Sequence, residues 1–330
     1  MKIVMYGSGA AGSVFASYLK RGGADMILID RYEAHMNAVN ENGMKFTIHE
    51  NDGTGEYKDR IEQLLGFRAY TSSEAAAEAE GKVDAIIYMT KATQLESALN
   101  DSLPLIGKDT VGISLINGIG NDDYMFKVFE KDHTVIGSGV IGTRLDAPGA
   151  CTAIPAGGVM MNFGATERSA RSDEVCQAVY DYFHAGECNA MWRKDDIYQA
   201  VWTKVCVNCT ANTCCATLRL KINEIDADPY GRALNHQVIR EVCAIATARG
   251  IPMDADEFIA NQWQEIIDTT GDYYTSMGQD VFMHHRQTEI DVLNGKISEY
   301  GKQYGIPTPA NDTLSMIIRC VQNNYDKQYS

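Results

Sequence analysis

The chain opens on an apolar run, Ile3-Val4-Met5-Tyr6, too short for a helix and closed by glycine. That pattern predicts a buried strand over Lys2–Tyr6. Val14, Phe15, Tyr18 and Leu19 then recur at helical spacing. They predict a helix from Ala10 to about Arg21, stopped by Gly22 and Gly23. A second buried strand covers residues 26–29 and ends at Asp30. Strand, glycine-rich turn, helix and strand make a βαβ unit, in which parallel pairing is expected. The alternation continues with a helix over 73–79 capped by Ser73, a strand over 83–89 and a helix over 93–99. Further strands are predicted over 111–116, 134–140 and 157–162. Repeated β/α alternation predicts an α/β fold, a Rossmann domain with a doubly wound parallel sheet.

The pattern changes near residues 190–194. From Asp195 onward no strand pattern is convincing. Helices are predicted over 195–218, 230–249, 255–269, 276–304 and 310–323. Asp195 and Asp196 suit the first turn of the first of these, near the positive end of its dipole. The expected organisation is a dinucleotide-binding domain over 1–194 and an all-α domain over 195–330, with no repeat or low-complexity linker between them.

Composition narrows the function without naming it. The chain has 330 residues, enough for about two cores, and 45% hydrophobic residues. A net charge of −15 argues against a nucleic-acid partner, which needs a basic surface. It leaves room for an anionic small molecule held by a few local lysines. No apolar run is long enough for a membrane span, and the first residues do not read as a signal peptide, so a cytoplasmic protein is expected. Nine cysteines, an odd number, fit reduced thiols. Cys206 and Cys209 have CxxC spacing beside Cys214 and Cys215, yet no second pair or nearby histidine completes a zinc site. No metal is expected, and the cluster reads as buried thiols on an apolar helix.

The turn after the first strand, Gly7-Ser8-Gly9-Ala10-Ala11-Gly12, is GxGxxG in the right place, after a strand and opening a helix. Gly7 permits the tight turn, Gly9 lets backbone approach a pyrophosphate, and Gly12 lets helix and strand pack closely. The helix N-terminus offers free N–H groups to the phosphates. Asp30, 18 residues after Gly12, can accept from a ribose hydroxyl and favours NADH. Arg31 can instead meet a 2′-phosphate, so the two residues point to different cofactors.

A second constellation lies at Lys204, Asn208 and Asn212. These fall at i, i+4 and i+8 on a segment that is otherwise mostly apolar. Buried polar side chains need partners or a ligand, and a cleft between the domains would supply one. Reduction of a ketone needs a hydride donor, an acid for the developing alkoxide and donors for the substrate carboxylate. A desolvated lysine can be that acid. Lys91 and Asn117 follow two further strands, at the carboxyl edge where open α/β sheets bind ligands.

Taken together these residues resemble the ketopantoate reductase (2-dehydropantoate 2-reductase) family over nearly the whole chain. The matching landmarks run in order: the 7–12 loop, Thr90-Lys91, Asn117-Gly118, Trp202-Thr203-Lys204 with Asn208 and Asn212, and Ser276-Met277-Gly278-Gln279-Asp280 with Thr288-Glu289-Ile290-Asp291. The resemblance implies that Lys204 is the general acid and that Glu289 orients it and the substrate carbonyl. It also implies that Ser276 binds the carboxylate, that Asn208 and Asn212 hold the hydroxyl end, and that Lys91 and Asn117 line the junction of cofactor and substrate. The implied reaction is reduction of 2-dehydropantoate to pantoate by NAD(P)H. The helical half would resemble the C-terminal domain of 6-phosphogluconate dehydrogenase, and a homodimer is plausible by family. The sequence departs from the family pattern at Asp30, at Tyr273, and by one extra residue near His284 and His285. Two other readings stay open: a same-scaffold reductase of another 2-oxo acid, and a protein that senses NAD(P) without turnover.

Overall fold

A computed structural model describes residues 1–51, 56–155 and 157–328. Two compact units emerge. The first comprises Met1–Asn117 and Asn121–Ile197, and the second Gly118–Gly120 and Tyr198–Ser330. Sequence places the division at 194/195; the first unit runs on to Ile197.

The first unit is built on strands β1 (Lys2–Tyr6), β2 (Asp25–Ile29), β3 (Met44–Asn51), β4 (Tyr57–Leu64), β5 (Arg68–Tyr70), β6 (Ala85–Tyr88), β7 (Val111–Ser114), β8 (Thr134–Gly139), β9 (Gly142–Ala147), β10 (Ala150–Ile154), β11 (Met161–Ala165) and β12 (Ala190–Trp192). Its helices are α1 (Ala10–Arg21), α2 (Glu33–Asn42), α3 (Ser73–Glu80), α4 (Leu95–Asp101), α5 (Asn121–Met125) and α6 (Ala170–Ala185). The main sheet has the order β12-β11-β8-β7-β6-β1-β2-β5. From β5 to β8 every pairing is parallel; β11 runs antiparallel to β8. The strand order reverses between β1 and β6, which makes that the switch point.

Alternation along the strands explains why both faces carry helices. Ile3, Met5, Met26, Leu28 and Ile87 pack with Val14, Phe15 and Leu19 of α1 and Val175, Val179 and Phe183 of α6. Val4, Tyr6, Ile27, Ile29 and Ile86 point the other way, onto Ala76 of α3 and Leu95 and Leu99 of α4. Successive side chains leave opposite faces of a strand, so a run apolar at every position is a strand covered twice.

Sequence does not anticipate the second sheet, ordered β4-β3-β10-β9. Its inner residues Phe46, Ile48, Cys151 and Ala153 join the core beneath α1. Its edge strands hide the signal: β4 reads Tyr-Lys-Asp-Arg-Ile-Glu-Gln-Leu and is largely exposed. Nor does sequence signal α2 and α6. Three local expectations are corrected. The strand expected at 157 begins at Met161, because Gly157 and Gly158 take positive φ, +83° and +72°. The cap of α3 is Ser72, whose hydroxyl accepts from Ala75 N–H, while Ser73 donates to Asp101. Asp195 and Asp196 precede their helix and pair with Arg168 and Arg193.

The second unit contains α7 (Ile197–Val207), which begins at the last residue of the first unit, and then α8 (Thr213–Leu218), α9 (Ile222–Ala227), α10 (Pro229–Ala248), α11 (Ala255–Phe258), α12 (Gln264–Thr270), α13 (Ser276–Phe282), α14 (Asn294–Tyr304) and α15 (Pro309–Gln322). Its described residues form no strand. A π turn over Asn208–Asn212 joins α7 to α8, and another over Ile259–Trp263 joins α11 to α12. The single helix expected over 276–304 is two helices. The break holds no glycine or proline; His285 takes φ +48°, and bonds to α15 carry the chain across the gap.

Candidate functional site

In the first unit the expected cofactor residues gather at one sheet edge. The turn 7–12, Asp30, Lys91 and Asn117 follow β1, β2, β6 and β7, neighbours in the sheet. Gly7 donates its N–H to Ile29 O at 2.9 Å and takes φ +91°. A Cβ on Gly7 would lie 2.8 Å from Thr90 N, and one on Gly12 would lie 1.9 Å from Gly7 O. Both glycines are therefore demanded by the fold. Gly9 differs: a Cβ there meets nothing within 4 Å. It also stands at the N-cap of α1, whose first turn has no side-chain cap and no acidic residue. An open backbone at an uncapped helix N-terminus suits a pyrophosphate.

Ser8 is buried, its hydroxyl turned to Met5 O at 3.5 Å, so its offer to a phosphate is main chain; its carbonyl accepts from Ser13 Oγ at 2.8 Å. Ala10 and Ala11 are half-buried at the start of α1. Asp30 is half-buried and its Oδ1 accepts from Tyr32 N–H at 2.9 Å, which holds the carboxylate at the end of β2. Arg31 and Lys91 are exposed, and Asn117 is half-buried.

A residue that sequence does not single out supports this loop from beneath. His35 is fully buried on α2. Gly149 N–H donates to its Nδ1 at 2.8 Å, so Nε2 carries the proton and faces Ser13 Oγ at 3.0 Å. Ser13 passes the chain to Ser8 O. Burial depresses the His35 pKa, against the pull of Asp30. No pattern in the chain marks His35, because its partners are distant in sequence.

In the second unit Lys204, Asn208 and Asn212 lie on one continuous helix from α7 through the π turn to α8. Val201, Trp202, Val205, Cys206 and Cys209 bury its other side. Each i, i+4 step in an α-helix overshoots a full turn by about 40°. Two steps would swing Asn212 well away from Lys204. The wider π turn winds less per residue and brings Asn212 back toward that line. Lys204 and Asn208 are half-buried, and Asn212 is 9% exposed. Burial of the ammonium lowers the Lys204 pKa to about 8, and the Glu289 carboxylate acts in the opposite sense.

Ser276 and Glu289 belong to the same unit. Ser276 is exposed at the first position of α13. Thr275, the N-cap of that helix, reaches Asn212 O at 3.5 Å, and Met277 Sδ lies 3.8 Å from Thr213 Oγ1. These contacts seat the start of α13 beside the Asn212 end of the stripe. Glu289 is exposed just before a short 3-10 turn, Ile290–Val292. Its neighbours are anchored to α15: Gln322 Oε1 accepts from Thr288 N and Oγ1 at 3.1 and 2.9 Å, and Arg319 Nε donates to Asp291 at 2.7 Å. Ile119, in the Asn-Gly turn, donates its N–H to Val292 O at 3.2 Å. A lysine able to give up its proton near neutrality, two asparagines and a serine can protonate, grip and orient a small polar anion.

Cys206, Cys209, Cys214 and Cys215 are buried thiols, and burial pushes the last two up to about 12. The described residues hold no cluster of three or more His, Cys, Asp or Glu suited to a metal ion. No helix among them is long and apolar enough to cross a membrane.

The chain is similar to known proteins. Residues 3–167 match the family described as Ketopantoate reductase PanE/ApbA, and 196–322 match its C-terminal counterpart. A 2-dehydropantoate 2-reductase of Streptococcus pyogenes serotype M1 is 31% identical over 312 residues, spanning 94% of each chain. One from Pyrococcus abyssi (strain GE5 / Orsay) is 27% identical over 97% of each. Among solved structures, a D-mandelate dehydrogenase with NADH and anilino(oxo)acetate superposes with TM-score 0.80 at 30% identity, covering 99% of this chain and 100% of that one.

Proposed function

The chain belongs to the ketopantoate reductase family, and from that premise we propose that it reduces 2-dehydropantoate to pantoate with NAD(P)H. Lys204 carries the proposal. An ordinary lysine holds its proton too tightly to be an efficient acid at neutral pH, whereas one lowered to about 8 is matched to the task.

The described residues divide the work. The backbone N–H groups at the start of α1 and the open face of Gly9 fit a pyrophosphate. When bound, the reduced nicotinamide supplies the hydride for the keto carbon. Lys204 Nζ gives its proton to the carbonyl oxygen as that oxygen gains charge. Glu289 keeps the ammonium protonated and oriented. Asn208 and Asn212 bind the hydroxyl end, Ser276 takes the carboxylate, and Lys91 and Asn117 serve the junction with the cofactor. Asp30, at the end of β2, favours NADH over NADPH, since a 2′-phosphate would meet its carboxylate.

The test is oxidation of NADH and of NADPH, measured separately with and without 2-dehydropantoate. Oxidation dependent on the keto acid is expected, faster with NADH. Tight dinucleotide binding with no turnover on this substrate would favour a second reading, a reductase of a bulkier 2-oxo acid. Two observations favour that reading: Tyr273 and Tyr274 stand exposed beside Ser276, and a mandelate dehydrogenase shares the fold.

A further inference from the structure

A π turn inside a helix displaces backbone groups from the regular ladder, and a side chain from another element can take them up. In this chain Asn294, the fully buried first residue of α14, does so. Its Nδ2 donates to the Cys209 carbonyl, inside the π turn, at 2.9 Å, and to Asn311 Oδ1 at 2.9 Å. Its Oδ1 accepts from Thr213 Oγ1, at the start of α8, at 2.6 Å. Both amide hydrogens and the carbonyl are thus engaged, so the orientation of the side chain is set.

Asn311 is fixed in turn. Its Nδ2 donates to Glu241 Oε2 at 2.7 Å, and Glu241 also accepts from Ala310 N, Asn311 N and Gln237 Nε2, each at 3.0 Å. A buried carboxylate at the N-terminus of α15 therefore orients Asn311, which orients Asn294. Asn294 follows Glu289 by five residues. One side chain ties the segment bearing Glu289 to the turn bearing Asn208 and Asn212.

We propose that Asn294 is a positioning residue. It clamps the π turn so that Asn208 and Asn212 stay in line with Lys204, and it sets the start of the Glu289 segment relative to that helix. The proposal rests on the roles given above to Lys204 and the two asparagines. Asn294 acts through them.

The test compares Asn294→Ala, Asn294→Asp, Thr213→Val and Lys204→Ala with the parent, by steady-state kinetics and by amide hydrogen exchange over residues 208–213. Asn294→Asp keeps the shape and sets an oxygen against the Cys209 carbonyl. Both Asn294 variants should lower kcat about tenfold or more, because small displacements of reacting groups are costly. They should raise KM for the keto acid and leave dinucleotide affinity within about twofold, as a general loss of fold would not. Amides 208–213 should exchange faster. Thr213→Val should move each quantity the same way by less. Parental turnover in a folded Asn294 variant overturns the proposal. If neither Asn294 variant folds, unchanged turnover and exchange in Thr213→Val overturn it. Parental turnover in Lys204→Ala would instead sink the functional reading, with hydrogen exchange then judging the clamp alone.

Discussion

Asp30 and His35 each allow a prediction at the level of one side chain. Replacing Asp30 by serine removes the carboxylate that a 2′-phosphate would face. The NADPH/NADH ratio of kcat/KM should rise, by about tenfold if the carboxylate is the main discriminator; an unchanged ratio would remove Asp30 from cofactor choice. His35 makes a different kind of prediction. Its folded pKa lies below 6.5, so the unfolded chain binds its proton first as pH falls. The stability it contributes is complete above about pH 6.5 and drains away below it. His35→Ala leaves Gly149 N–H and the Ser13 hydroxyl without this partner, at about 1–3 kcal/mol for each group left unsatisfied. Denaturant melts on both proteins should show the variant less stable at neutral pH and with a shallower acid-side loss. Equal slopes would mean that His35 does not titrate on unfolding. The place of Asp30 was legible because it follows directly on the apolar run of β2. His35 was not, because Gly149 lies 114 positions away.

At the scale of elements, the two close glycines of the cofactor turn should separate cleanly from Gly9. Gly9→Ala puts its methyl into open space at the helix N-terminus, so Tm should hold while the dissociation constant of NAD(P)H rises. Gly12→Ala drives a Cβ into Gly7 O and should cost at least about 1–3 kcal/mol, the range for overpacking. Isothermal titration and thermal melts distinguish the two; a Gly9→Ala protein with parental affinity would move the phosphate site elsewhere. Elements with apolar periodicity were readable, among them β1, α1, β2 and α10. The helix carrying Lys204 was readable as a helix, but its π turn was not: the side chain bonded to it, Asn294, lies 85 positions from Cys209. The split between α13 and α14 was missed for the same reason. No helix breaker stands at 283–289; the chain turns because Gln322 and Arg319 hold it there.

For the whole molecule, sequence conveyed the parallel sheet and the helical half because both leave long apolar signatures. The second sheet escaped because its outer strands are polar and largely exposed, adding only half-buried residues such as Leu64 and Leu145 to the core, while β3 and β10 bury its face. Of the expected site, the residues at the strand ends were read from fold rules, while Ser276 and Glu289 had no signal outside the family resemblance. The charge of −15 does not favour an anionic substrate, so local donors such as Lys204, Asn208, Asn212 and Ser276 must offset it. The most direct test is the pH dependence of kcat for keto-acid reduction, from about pH 6 to about pH 10, for the parent and Glu289→Gln. Reduction needs protonated Lys204, so the parent rate should fall as pH rises through about 8. Removing the Glu289 charge should move that limb to lower pH, because the carboxylate holds the ammonium protonated. A parent profile flat through this range, or a limb that Glu289→Gln leaves in place, would contradict Lys204 as the acid.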